Sequence, residues 1–97
     1  MCGIVGVAAE RNVYKILIEG LRRLEYRGYD SAGISMIDRD NHLETRKAKG
    51  KVADLEALAA LEPVAGHTGI AHTRWATHGE PSTANSHPHT SGGVAIV

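Results

Sequence analysis

The spacing of apolar residues changes several times along this chain, and each change marks an element. Gly3-Ile4-Val5-Gly6-Val7-Ala8 is a short β-branched run that predicts a buried strand, with glycines where another backbone or a ligand comes close. Asn12 suits the N-cap of the next element. From there Val13, Ile16, Leu17, Leu21 and Leu24 fall on one helical face, with Gly20 on the same face permitting close packing. Arg22 and Arg23 complement the negative end of that helix, and Gly28 can terminate it. Ala32–Asp38 predicts a strand partly buried on both faces. Asp38-Arg39-Asp40-Asn41 is turn chemistry, and His42–Lys47 alternates weakly, so the pair reads as a hairpin with a solvated second strand. Lys51–Leu61 predicts a short helix with Val52, Leu55, Leu58 and Ala59 inward, stopped by Pro63. Gly69–Thr73 is another strand, residues 74–93 are rich in turn formers, and Val94–Val97 begins a further strand. The order βαββαββ defines an α+β protein.

Composition narrows the function classes. Eleven basic and 11 acidic residues balance to a formal charge of zero, so the electrostatic footprint of a nucleic-acid binder is missing. Runs such as Ile4–Ala9 fall far short of the roughly 20 residues of a membrane span. No basic segment followed by an apolar one opens the chain, which predicts a cytoplasmic protein. With 97 residues, three Tyr, one Trp and no Phe, the chain holds one domain at most, and its last strand stops mid-run. We therefore expect the N-terminal part of something longer. A single cysteine cannot form an internal disulfide, yet it stands at position 2.

That position has chemical meaning. Removal of Met1 would leave Cys2 with a free α-amine, joining nucleophile and base on one residue. The amine's pKa of roughly 7.7–8 leaves a useful neutral fraction to take up the thiol proton. A lone cysteine in a frayed terminus is the plain alternative, and a strand starting at Gly3 counts against fraying. The connection Tyr26-Arg27-Gly28-Tyr29-Asp30-Ser31-Ala32-Gly33 sets charged and hydroxyl groups between two glycines; Asp30 and Ser31 would equally suit an Asx or hydroxyl turn. In His72-Thr73-Arg74-Trp75-Ala76-Thr77-His78-Gly79-Glu80-Pro81, Arg74 offers a fork suited to a carboxylate, Trp75 a rigid wall, and Thr77 and His78 hydrogen-bonding groups. A surface loop around a half-buried Trp is the duller reading. His87-Pro88-His89, with His72 and His78, invites a metal assignment, but no recognised zinc spacing occurs, so these histidines are expected to shape a loop. No Gly-rich phosphate cradle is present.

Together these segments resemble the N-terminal-nucleophile, or class-II, glutamine amidotransferases. Cys2-Gly3-Ile4-Val5-Gly6 is similar to the family's opening. Leu21–Gly33 and His72–Ser82 are similar to the branch that forms an amino sugar phosphate; the amidophosphoribosyltransferase branch usually has Gln at Tyr29 and Tyr at Trp75. The resemblance covers all 97 residues, with one small departure at Ser86, where Ala is expected. It implies the N-terminal portion of an αββα four-layer sandwich, and a partial glutaminase domain over residues 1–97 that continues beyond Val97. It also implies that Cys2 attacks L-glutamine, that Arg74 clamps the substrate α-carboxylate with Thr77 and His78 beside it, that Arg27 and Gly28 line the nucleophile's surroundings, and that Trp75 moves or gates near the site. His87 has a supporting role. No cofactor and no metal are implied.

The parent enzyme would pass ammonia to fructose 6-phosphate at a sugar-phosphate isomerase domain of the same chain, forming a homo-oligomer through that domain. The family's Asn-Gly oxyanion pair and a later amine-binding Asp are expected beyond Val97, so the 97 residues alone are expected to be inactive. Two alternatives remain. One is another class-II amidotransferase such as the phosphoribosyl branch, and the other is a non-catalytic assembly module. Tyr29 and Trp75 oppose the first; the set Cys2, Arg27, Arg74 and Thr77 opposes the second.

Overall fold

A computed structural model describes residues 2–25, 30–74 and 86–97. The described elements run β1 (Cys2–Ala8), α1 (Tyr14–Leu24), β2 (Ser31–Ile37), β3 (Leu43–Lys49), α2 (Val52–Leu61), β4 (Thr68–Arg74), β5 (His89–Ser91) and β6 (Val94–Ile96). Every element read from the spacing is present. The exception to a complete reading is β5, a three-residue strand inside the stretch read as turns, which pairs with β6.

The principal sheet has the order β1-β4-β2-β3 and is antiparallel throughout. Strand β4, late in the chain, inserts between β1 and β2. This placement corrects the reading of β1 as a buried strand. At the sheet edge it turns Val5 and Val7 into the core and leaves Ile4 58% exposed. Strand β2, flanked on both sides, is buried from Ser31 through Met36 and so is more enclosed than its mixed pattern suggested.

Both helices lie on one face of this sheet. Val13, Leu17, Ile18 and Leu21 of the α1 region and Val52 and Leu55 of α2 join Ala32, Ile34, Met36 and Ala71 in one core. Helix α1 comes close because Gly20 has no side chain: a Cβ there would crowd the Val5 methyl groups at 2.9–3.0 Å. Asn12, expected as the N-cap, instead lies one residue ahead of it, since Val13 holds the capping position. Its Oδ1 accepts hydrogen bonds from the backbone N–H of Tyr14 (3.1 Å) and of Gly66 (3.5 Å). The two helices are joined where Glu25 Oε1 accepts the Val52 N–H at 3.2 Å and where Arg22 pairs with Glu56. Asp54 accepts the Lys51 N–H at 2.7 Å, satisfying another donor at the start of α2. Leu58 is only half-buried, leaving Val52, Leu55 and Ala59 as the inward set of α2.

The opposite face of the sheet meets the β5–β6 hairpin across a cavity of about 300 Å³, lined by Ser35, Ile37, Leu43 and Ile70 on one side and Gly93, Val94 and Ala95 on the other. Helices on one side, a sheet, and a second small sheet on the other make three successive layers. Among the described residues no helix is long and apolar enough to cross a membrane.

Candidate active site

The end of the principal sheet collects the chemistry. Because β4 is antiparallel to both neighbours, its last residue has a cross-strand partner on each side: Arg74 stands opposite Cys2 of β1 and opposite Ser31 of β2. The side chains of Arg74 and Ser31, directly opposed in this ladder, share a face, with Cβ atoms of such pairs about 4.5–5.5 Å apart. The Asp30 N–H donates to the Arg74 carbonyl at 2.7 Å, and the Gly50 N–H donates to the Asp30 carbonyl at 2.8 Å. The start of β2 is thereby fixed to the end of β4. Residue 2, residues 30–31 and residue 74, far apart in sequence, meet at one end of the sheet.

Two residues back along β4 lies His72, opposite both Ile4 and Gly33 and only 3% exposed. Its ring stacks on His87, with centroids 4.3 Å apart and planes inclined by 28°. His87 in turn meets the His89 ring at 4.3 Å, tilted by 56°. Burial, followed by the neighbouring positive groups of His87, Arg74 and His89, holds the His72 pKa down at about 4. His72 is therefore neutral at ordinary pH. His87 is shifted in the same direction, first by burial and then by His89, Arg74 and Lys47.

The segment 86–88 crosses this face closely. Ser86 and Pro88 are fully buried, and Lys47 Nζ donates to the Ser86 carbonyl at 3.1 Å. Gly33 makes the crossing possible, because a Cβ there would fall on the His87 carbonyl oxygen. The unexpected serine at position 86 is thus accommodated, with its main chain anchored by β3.

Of the residues read as functional, Cys2 and Arg74 are brought together through their backbones, and His87 lies on the same strand neighbourhood through His72. Arg27, Gly28, Trp75, Thr77 and His78 lie outside the described residues. What sequence reasoning missed is Ser31, fully buried in the same cross-strand row, and Lys47, the anchor of Ser86. Alternation alone could not single them out, since their importance follows from strand register.

Metal-ligating atoms within reach of one another occur, among the described residues, at Asp38, Asp40 and His42. Their arrangement has a local cause. Asp38 Oδ1 accepts the N–H groups of Asp40 (2.8 Å) and His42 (3.0 Å), closing the β2–β3 turn, and the bond from His42 leads the effects that lower the Asp38 pKa.

No protein-family model matches the chain. The glutamine–fructose-6-phosphate aminotransferase (isomerizing) of Pseudomonas putida is 60% identical over 98 residues, and that of Acinetobacter baylyi 61% over 97. Each match takes in the whole of this chain and 16% of the relative, so the chain spans about one sixth of the length of these relatives. Among solved structures, the glutamine phosphoribosylpyrophosphate amidotransferase of Bacillus subtilis superposes with a TM-score of 0.78 at 30% identity, over 91% of this chain and 18% of that one. Sheet and sequence together point to one class: in fold and in sequence the chain is similar to glutamine amidotransferases. Within that class it is similar along its whole length to the N-terminal portion of the glutamine–fructose-6-phosphate aminotransferases.

Proposed function

We propose that this chain carries the glutaminase chemistry of such an aminotransferase, with Cys2 as nucleophile once Met1 is removed. The observation that carries the reading is the direct opposition of residue 2 and Arg74 in a chain about 60% identical to these enzymes throughout. The Cys2 sulfur attacks the side-chain carbonyl of L-glutamine, forming a C–S bond. Its own α-amine takes the thiol proton and delivers it to the leaving nitrogen as the C–N bond breaks. Ammonia departs, and water hydrolyses the glutamyl thioester to glutamate and free thiol. Arg74 clamps the substrate α-carboxylate through a two-pronged hydrogen bond. Thr77 and His78 complete that end of the pocket, Arg27, Gly28 and Trp75 line it, and His87 supports it.

In the parent protein the ammonia converts fructose 6-phosphate to glucosamine 6-phosphate at a sugar-phosphate isomerase domain, through which the cytoplasmic enzyme forms a homo-oligomer. The 97 residues are then part of a glutaminase domain and the first portion of an αββα sandwich. Exposed apolar positions support the sandwich: Ile4, Ile37, Val94 and Ile96 are 38–61% exposed, and Ile37 and Val94 line the cavity between the sheet and the hairpin. Such surface is expected to be covered by further chain. No Asn-Gly dipeptide occurs in the 97 residues, so no oxyanion pair of that type is available, and the piece alone is inactive.

The test is chemical. In the full-length protein a glutamine-mimicking electrophile is expected to add one equivalent at Cys2, with an N-terminus lacking Met1 by mass and with glutamine protecting. A retained Met1 in active enzyme, or labelling that ignores Cys2, overturns the mechanism. Glutamate release by the isolated chain near a full domain's rate overturns its inactivity. The reading as a phosphoribosyl-transferring relative is favoured by the solved structure at 30% identity, and the doubled identity to the aminotransferases outweighs it.

A further inference from the structure

Ser31 presents a problem that its own strand solves elsewhere. Ser31 and Ser35 are both buried (0% and 2% exposed), both on β2, and four residues apart, so their side chains share one face of the sheet. Ser35 meets its hydrogen-bonding need within the protein, its hydroxyl lying 2.6 Å from Thr45 Oγ1 across the ladder. Ser31 Oγ is buried and has no hydrogen-bond partner among the described residues. Buried hydroxyls are normally paired, because leaving one unpaired forfeits its solvation without return. Ser31 therefore carries a cost that a purely structural serine would not.

Its position says what would offset that cost. Ser31 stands directly opposite Arg74, on the side of β4 away from Cys2, in the row that holds all three residues. Two further buried atoms without partners, Nδ1 of His72 and Nδ1 of His87, lie along the same face. Unmet polar groups gathered beside a guanidinium are what a site for a polar, anionic ligand leaves when it is built in advance of binding.

We propose that Ser31 is a substrate-positioning residue, its hydroxyl donating a hydrogen bond to the carboxylate that Arg74 clamps. The inference rests on the amidotransferase reading of Arg74. It adds a second, neutral donor from the neighbouring strand, so that the carboxylate is held from β4 and β2 together. A charge-assisted bond of this kind raises affinity about tenfold.

The experiment compares Ser31→Ala with Arg74→Ala in the full-length protein. Ser31→Ala is expected to raise the glutamine KM about tenfold with kcat within about twofold, without lowering the Tm of the ligand-free protein. Alkylation of Cys2 by an amino-acid diazoketone that mimics glutamine is expected to slow by a similar factor, whereas alkylation by iodoacetamide, which lacks the α-carboxylate, is unchanged. An unaltered KM for Ser31→Ala beside a raised KM for Arg74→Ala overturns the role of Ser31 alone. Equal slowing with both reagents also overturns it, since the hydroxyl would then act on the nucleophile or the fold. An unaltered KM and diazoketone rate for Arg74→Ala overturns the reading of Arg74, and the Ser31 proposal with it.

Discussion

The carbonyl oxygen of His87 occupies the space that a side chain on Gly33 would need. Residues 86–88 return across the sheet at this point, above the His72 ring and beside the row that ends in Arg74. The return is secured from a third strand by Lys47, which donates to the Ser86 carbonyl. Gly33→Ala must displace backbone rather than a flexible side chain, so a loss of about 1–3 kcal/mol is expected. Urea unfolding of the variant checks this, with Gly6→Ala as control because a Cβ at Gly6 meets nothing within 4 Å.

The buried histidine makes stability depend on pH. The folded-state pKa of His72, about 4, is below the ordinary value of 6.5, so the unfolded chain binds the proton more tightly. The stabilisation is complete above about pH 6.5 and is lost as pH falls toward 4, with up to about 3 kcal/mol involved. Among the described residues His87, His89 and Arg74 are the charged or titratable groups facing it, and His87 adds to the trend in the same direction. Unfolding free energy measured between pH 7 and 4 is expected to fall, and His72→Gln is expected to flatten the slope. An unchanged slope in the variant refutes the assignment to His72.

Arg74→Lys is a sharper test of the carboxylate clamp than removal of the charge. Lysine keeps the positive charge but not the planar fork. A rise of roughly 10- to 100-fold in the glutamine KM of the full-length protein is expected, with kcat much less affected. Steady-state kinetics with glutamine as the varied substrate decides it.

Leu17 is fully buried between α1 and the sheet, where a Cβ on Gly69 would meet its Cδ1 at 2.6 Å. Leu17→Ala is expected to cost about 2–5 kcal/mol by calorimetry or urea unfolding. Asn12 satisfies two backbone donors, at Tyr14 and Gly66. Asn12→Ala is therefore expected to cost about 1–2 kcal/mol, more than a cap serving one donor.

How far the chain could be read in advance depended on the range of each interaction. Helix α1 was plain because Val13, Leu17 and Leu21 repeat at helical spacing, and that repeat is a property of neighbouring residues. The β2–β3 turn was plain because Asp38 bonds N–H groups two and four residues away. The edge position of β1 was not legible, because Ile4 and Val5 are equally apolar and only the sheet order exposes one and buries the other. Strand β5 was missed because three residues carry too little periodicity to stand out from a turn-rich segment. In the candidate site, Cys2 and Arg74 were singled out by residue type and by resemblance, whereas Ser31 looked like a turn former.

By itself, then, the sequence determined every element but β5, the inward face of α1 and the inventory of reactive side chains, all consequences of local stereochemistry. The tertiary structure alone decided that β4 lies between β1 and β2, and in which register. Alternating strands tolerate any slip of two residues without changing which face is apolar, so pattern cannot choose among such pairings. That choice comes from close packing at points such as Gly20 on Val5 and Leu17 against Gly69. It is also what sets residue 2 opposite Arg74 and Arg74 opposite Ser31.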